Sequence, residues 1–158
     1  MIVAAWLVLL GLLAAYFNDV QQRQINPNNN PNSQQLNGQQ VLTLDANKYK
    51  HFVMTGKING QKIAMLLDTG ATQVAIPAKM GKKLGLKAGA AGLAATANGH
   101  VTVFHTRIDK LELGDIVLYN VPAELNPGMD HMDEVLLGMS ALSQLEFSQQ
   151  NGKLEIRQ

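Results

Sequence analysis

The order of apolar and polar residues divides the chain into three zones. Residues 1–17 (MIVAAWLVLLGLLAAYF) are an apolar run without a charged or amide side chain. Residues 18–40 are dominated by amides, because fourteen of these 23 positions are Asn or Gln. Residues 41–158 alternate short apolar runs with turn signals, which is typical of one globular domain.

The first zone predicts a transmembrane anchor over residues 1–17. As a helix this run is about 25 Å long, slightly under the hydrocarbon core of about 30 Å. Tyr16 and Phe17 fall where an interfacial aromatic belt would lie. A cleaved signal peptide is the alternative, although no Lys or Arg precedes the run and no Ala-x-Ala ends it.

The second zone, residues 18–40, is predicted to be a flexible linker. So few apolar residues cannot offset the entropy of ordering the segment. Such a tether would span about 25–30 Å. Segments next to a membrane span carry an excess of Lys and Arg on the cytoplasmic side. Here Arg23 is the only basic residue of the linker and the next is Lys48, so we expect the following domain on the periplasmic, outer side of a bacterial inner membrane.

The third zone predicts an all-β domain over residues 41–158, either a sandwich or a small barrel. Turn signals such as Asn98-Gly99 and Asn151-Gly152 separate its short apolar runs. Two short helices are expected, one opening at Pro77 and one over Ser140–Leu145. The predicted strands cover 49–58, 62–67, 100–108, 116–122 and 153–157.

Composition removes several classes of function. The chain has no Cys, which excludes a disulfide scaffold, a thiol nucleophile and a cysteine metal site. Thirteen basic and twelve acidic residues give no field that attracts nucleic acid, and 5% aromatics are few for base stacking. Since the four His residues lack metal-ligand spacing and no phosphate loop is present, we predict no metal, no cofactor and no nucleic-acid partner.

The sharpest local feature is an Asp-Thr-Gly tripeptide at residues 68–70, directly after an apolar run. A charged side chain at the end of a buried strand needs an explanation. Gly70 lets the backbone turn at once, and the hydroxyls of Thr69 and Thr72 can orient the Asp68 carboxylate. Taken alone, the tripeptide also suits a hairpin turn.

Three segments in order make the resemblance specific: MLLDTGAT (65–72), TANG (96–99) and VLLGMSALSQLEF (135–147). They resemble the retropepsin-like aspartic proteases, and within them the membrane-anchored bacterial branch. The resemblance covers about residues 48–157. It implies an all-β fold, a small closed barrel with one or two short helices.

The resemblance also implies a catalytic role for Asp68. Aspartic proteases activate a water between two carboxylates, and this chain offers one Asp-Thr-Gly. A homodimer is therefore implied, with Asp68 and its symmetry mate sharing the water. Two carboxylates about 3 Å apart repel too strongly for both to ionise, so the pair should hold one proton.

Other roles carry over position by position. The implied support of the active site comes from Thr69, Gly70, Ala71, Thr72 and Gly138. The implied flap over the substrate has Ala97, Asn98 and Gly99 at its tip. The chain departs from many retroviral members in having Met139 where they have Arg after this glycine, so that arginine's dimer contact is not carried over.

The sequence thus predicts a membrane-anchored aspartic endopeptidase that hydrolyses polypeptides as a homodimer. A catalytically silent peptide-binding or scaffolding module of the same fold is the alternative. A third hypothesis is a protease that acts only on itself, which predicts a cut within residues 18–47.

Overall fold

The computed structural model describes residues 2–96 and 99–158, and after the first helix the regular structure of this part of the chain is almost entirely β-strand. A long helix α1 (Ile2–Ile25) precedes the strands, and a short helix α2 (Met139–Leu142) follows β9. The strands are β1 (Ser33–Leu36), β2 (Gln39–Asp45), β3 (Val53–Ile58), β4 (Gln61–Leu67), β5 (Val74–Pro77), β6 (Ala91–Thr96), β7 (Gly99–Leu113), β8 (Ile116–Asn126), β9 (Glu134–Leu137), β10 (Glu146–Gln150) and β11 (Lys153–Arg157).

The larger sheet closes on itself. Its order is β3-β4-β9-β5-β8-β7-β6, and β3 also pairs with β7, so six strands form a ring and β6 extends from it. The pairs β4–β9 and β5–β8 are parallel, while the neighbouring pairs are antiparallel. This ring confirms the predicted all-β fold with a small closed barrel.

A second sheet, of order β1-β2-β11-β10, joins the two ends of the chain. Its buried side chains Leu42, Leu44, Leu154 and Ile156 pack into the same apolar core as the ring. Apolar residues alternate with exposed ones along β2, the pattern of a sheet with one buried face.

Asn-Gly pairs build the tight turns between neighbouring strands. Asn59-Gly60 and Asn151-Gly152 each have two consecutive positive φ angles, +48° and +82° in the first, +51° and +75° in the second. These are the angles of a type I′ turn, which matches the twist of two antiparallel strands. The predicted strands 49–58, 62–67 and 153–157 beside these turns are present as β3, β4 and β11, with β3 shorter than predicted, whereas β10 was not predicted.

The helix predicted from Pro77 is wrong in type. The chain makes a 3-10 turn over Ala78–Met80, keeps helical angles at Gly81, and turns away at Gly85, where φ is +69°. The side chains of Met80, Leu84 and Leu86 are buried and pack this segment against the core. The helix predicted over Ser140–Leu145 is present as the shorter α2.

The segment 18–40 differs from the flexible linker that its composition predicts. Helix α1 continues to Ile25, and β1 pairs with β2 through Ser33–Leu36. Asn28 is only 6% exposed and forms a parallel bridge with Met54 of β3. Apolar burial is indeed scarce here, but side-chain amides order the segment through hydrogen bonds to the backbone of the domain.

Helix α1 presents apolar side chains on all sides up to Phe17, and polar residues predominate after it. Its most apolar stretch of 18 residues has a mean hydropathy of 1.8 and is not buried against the rest of the chain. By length and composition it can cross a membrane, and a signal sequence has the same properties.

Candidate active site

Asp68 lies where two parallel strands end side by side. Strand β4 runs parallel to β9 in a register that pairs Leu67 with Leu137. The Asp68 N–H donates to the Leu137 carbonyl oxygen at 3.1 Å, which continues this pairing by one residue. The carboxylate is therefore carried by a rigid sheet edge rather than by a mobile loop.

The Asp-Thr-Gly turn orients the carboxylate with its own backbone. The Gly70 N–H donates to Asp68 Oδ1 at 2.8 Å, and the Ala71 N–H donates to the Asp68 carbonyl oxygen at 3.2 Å. Asp68 is half-buried, whereas Thr69 and Gly70 are exposed on this single chain. One carboxylate oxygen is thus fixed, and the turn presents the group to the outside.

The loop after β9 packs directly against the Asp-Thr-Gly turn. The Met139 N–H donates to the Ala71 carbonyl oxygen at 2.8 Å, and the Ser140 N–H donates to that of Thr72 at 3.0 Å. A Cβ at Gly138 would lie 2.7 Å from the Ala71 carbonyl oxygen and would overlap that of Gln73. Because the φ of Gly138 is an ordinary −89°, close approach rather than backbone angle requires glycine here.

Ser140 ties this loop to two strands, a role that the sequence did not reveal. Its Oγ accepts from the Val74 N–H at 3.0 Å and donates to the Pro122 carbonyl oxygen at 2.7 Å. These contacts join α2 to β5 and β8 behind Asp68. A lone hydroxyl two residues after Gly138 is the available sequence signal, and it is too common to identify such a role.

Replacing this hydroxyl should destabilise the domain. In Ser140→Ala the N–H of the fully buried Val74 loses its partner, which costs about 1–3 kcal/mol. Urea unfolding measures the change in the free energy of unfolding, with Ser148→Ala on the exposed strand β10 as the control. Equal stability of the two variants would contradict this bridging role.

Strands β6 and β7 form a hairpin that extends from the ring, and this is the hairpin in which the resemblance predicts a flap. Thr96 pairs with Gly99, and the Thr96 hydroxyl donates to the Gly99 carbonyl oxygen at 2.8 Å. Gly99 is the first residue of β7 with φ +109°, an angle that favours glycine. Ala97 and Asn98, the predicted tip, lie outside the described residues.

At the base of this hairpin, His105 lies against the strand β6. A Cβ at Gly92 would be 2.6 Å from His105 Nε2, so glycine makes room for the imidazole. Glu124 of β8 is the cross-strand neighbour of His105. Burial raises the pKa of the Glu124 carboxyl group, and the charge of His105 offsets part of that rise.

The acidic segment 130–134 lies on the surface as a loop that binds a lysine. Asp130 accepts from the Lys79 backbone N–H at 2.8 Å, and Asp133 pairs with the Lys79 ammonium at 2.9 Å. This pairing lowers the pKa of Asp133. Across residues 2–96 and 99–158 no group of three or more His, Asp or Glu side chains converges as metal ligands would.

Known structures share this fold. The crystal structure of a retropepsin-like aspartic protease from Rickettsia conorii superposes with a TM-score of 0.62 at 21% identity, covering 80% of this chain and 93% of that one. The EIAV protease complexed with the inhibitor HBY-793 superposes with a TM-score of 0.50 at 19% identity, covering 62% and 90%. The fold is therefore that of the retropepsin-like proteases.

The sequence itself assigns the family. Residues 54–144 match the family described as "gag-polyprotein putative aspartyl protease", and this chain belongs to that family. A Sinorhizobium protein described as "Uncharacterized protein in cobV 5'region" is 33% identical over 115 residues. That alignment covers 71% of this chain and 49% of the relative, so the chain spans about half the length of the curated relative that it matches.

Proposed function

We propose that this protein is an aspartic endopeptidase in which Asp68 activates the attacking water. The observation that carries the proposal is the fixed position of Asp68 at the end of β4, where Leu137 and Gly70 hold it. Membership of an aspartyl protease family supports the same chemistry. Polypeptides are the proposed substrates.

The proposed active unit is a homodimer, because one chain supplies one Asp-Thr-Gly. Asp68 is half-buried and Thr69 exposed on the single chain, so a second copy can approach this surface. Two carboxylates brought within about 3 Å would share one proton. The ionised one would take a proton from water, and the protonated one would donate to the carbonyl oxygen of the peptide bond.

The neighbouring residues receive supporting roles in this proposal. The hydroxyl of Thr69 would bond across the dimer, and Gly70 would let the substrate backbone come close. Ala71 and Thr72 would hold the turn through the carbonyl oxygens that accept from Met139 and Ser140, with Gly138 packed behind them. Residues 97–99 would close over an extended peptide and exclude bulk water.

Helix α1 is proposed to anchor the protein in a membrane, with the protease domain on the periplasmic side of a bacterial inner membrane. The apolar part of α1, which is not buried against the rest of the chain, supports an anchor. Two anchored copies meet at a raised local concentration, which favours a dimer of chains that are inactive singly.

Mixing active and inactive chains tests whether the catalytic site is shared. With a threefold excess of Asp68→Asn chains and free exchange of subunits, random pairing leaves roughly a quarter of the wild-type activity. The matched control is the same excess of Asp109→Asn, which changes an exposed carboxylate of β7; because those chains keep Asp68, total activity should rise about fourfold. Activity that is independent of added Asp68→Asn chains would mean that each chain works alone.

A further inference from the structure

A buried asparagine fixes the chain that follows helix α1 to the domain. Asn28 Nδ2 donates to the carbonyl oxygens of Val53 at 2.7 Å and of Asp45 at 2.9 Å. Its Oδ1 accepts from the Asp45 N–H at 2.8 Å. These three bonds, together with the bridge between Asn28 and Met54, form a contact that we call the asparagine joint.

A short loop of the domain rests on the last turn of α1. Asn47 Nδ2 donates to the Ile25 carbonyl oxygen at 3.0 Å, and the Lys48 N–H donates to that of Gln24 at 3.3 Å. Asn47 Oδ1 in turn accepts from the N–H groups of Tyr49 and His51. The loop 48–51 therefore has a defined shape and a defined place beside the helix.

The exposed side chains of loop 48–51 are basic and aromatic: Lys48, Tyr49, Lys50 and His51. Tyr49 is 62% exposed, and the Lys48 ammonium lies 5.1 Å from the centre of its ring. Within the described residues neither Lys48 nor Lys50 pairs with a carboxylate, whereas the nearby Asp45 pairs with Lys153. The loop thus carries uncompensated positive charge.

Loop 48–51 lies about as far beyond the apolar part of α1 as the lipid headgroups lie beyond the hydrocarbon core. Gln24 follows Phe17 by seven residues, which is about 10 Å along a helix. The headgroup region extends about 5–8 Å beyond the hydrocarbon core. Lysine side chains reach toward an interface while their stems lie along apolar surface, so the two ammonium groups fall within reach of lipid phosphates.

We propose that loop 48–51 binds the anionic phospholipid headgroups of the membrane that α1 spans, and that the asparagine joint holds it there. This inference rests on the proposed anchor. It places the protease domain directly on the bilayer surface, in place of a domain at the end of a tether. Cationic side chains near an anionic leaflet are attracted within a Debye length, and tyrosine suits the interface.

A single-tryptophan reporter tests the contact in the full chain. Trp6 is the only tryptophan, so Trp6→Phe with Tyr49→Trp reports on the loop alone. The protein is reconstituted in phosphatidylcholine vesicles with and without phosphatidylglycerol, and quenching by headgroup-nitroxide lipid is measured. The matched control is Trp6→Phe with Tyr119→Trp, since Tyr119 is likewise 62% exposed.

We expect the loop reporter to be quenched at least about twice as strongly as the control in anionic vesicles, because basic segments are drawn to anionic lipid. The difference should shrink in about 1 M salt, where the Debye length is about 3 Å. Lys48→Gln with Lys50→Gln should reduce it as well, whereas Lys82→Gln with Lys83→Gln should leave it unchanged. Equal quenching of both reporters would overturn the proposal.

The wild-type Trp6 separates failure of the loop from failure of the anchor. If lipids brominated in the acyl chain quench Trp6 while the loop reporter is silent, the anchor stands and the loop contact is overturned. If Trp6 is also unquenched, the anchor fails and the inference falls with it.

Asn28→Ala tests the asparagine joint. In the loop reporter it should weaken quenching of the tryptophan at position 49, whereas in the chain that keeps Trp6 it should leave Trp6 quenched. The control is Asn30→Ala, which changes an exposed residue, and an unchanged loop signal in Asn28→Ala would contradict the role of the joint.

Discussion

Asp68→Asn is expected to abolish peptide hydrolysis, lowering kcat/KM by at least about a thousand-fold. An amide cannot accept a proton from water, and the symmetric dimer would lose both carboxylates at once. The Gly70 N–H can still bond an amide oxygen at this position, so the turn should keep its shape. Hydrolysis of a fluorogenic peptide measures the loss.

The control for this variant is Asp109→Asn, which makes the same chemical change on the exposed side of β7. It should retain nearly full activity. Circular dichroism and light scattering should show that Asp68→Asn keeps the fold and the oligomeric state of the wild type. Substantial activity in folded Asp68→Asn would remove Asp68 from the mechanism.

Gly138→Ala is expected to cause the largest loss of stability among single methyl additions near the site. The new Cβ would overlap the Gln73 carbonyl oxygen and lie 2.7 Å from that of Ala71, and both are backbone atoms in the turn that carries Asp68. Overpacking of this kind costs about 1–3 kcal/mol and more where the backbone must move. Urea unfolding and peptide hydrolysis should both reveal the defect.

Gly11→Ala is the control, because a Cβ at Gly11 meets nothing within 4 Å and the residue lies in helix α1. This variant should match the wild type in domain stability and in activity. If Gly138→Ala is as stable and as active as Gly11→Ala, the loop after β9 does not pack against the Asp-Thr-Gly turn as the structure has it.

Strands β3, β4, β7, β8 and β11 could be predicted from sequence, at least in part, because local signals determine them, whereas β1, β2, β5 and β10 were not predicted. The Asn59-Gly60 and Asn151-Gly152 pairs favour tight turns, and apolar runs beside them predict strands. The helix expected from Pro77 is reduced to a 3-10 turn because the chain turns away at Gly85, with φ +69°, although Met80 and Leu84 have helical spacing and are both buried.

Two residues of the candidate site stand out from the sequence itself: Asp68, a charged residue directly after an apolar run, and Gly70, which allows a sharp turn. Gly138 came from the family resemblance, and the structure adds its close approach to the Ala71 and Gln73 carbonyl oxygens. Ser140 and Asn28 act through hydrogen bonds to residues far along the chain, from Ser140 to Val74 and from Asn28 to Val53. Pairings of this kind leave no pattern in a single sequence, and the amide-rich segment 18–40 therefore resembles a linker.

The central claim is that this chain hydrolyses peptide bonds with an activated water. Its most direct test incubates the whole chain with a diverse peptide library at pH 4–7 in water enriched in oxygen-18, and analyses the products by mass spectrometry. The account predicts cleaved peptides whose new carboxyl termini carry the heavy isotope. A folded dimer that leaves the library intact would contradict it and would favour a peptide-binding module of the same fold.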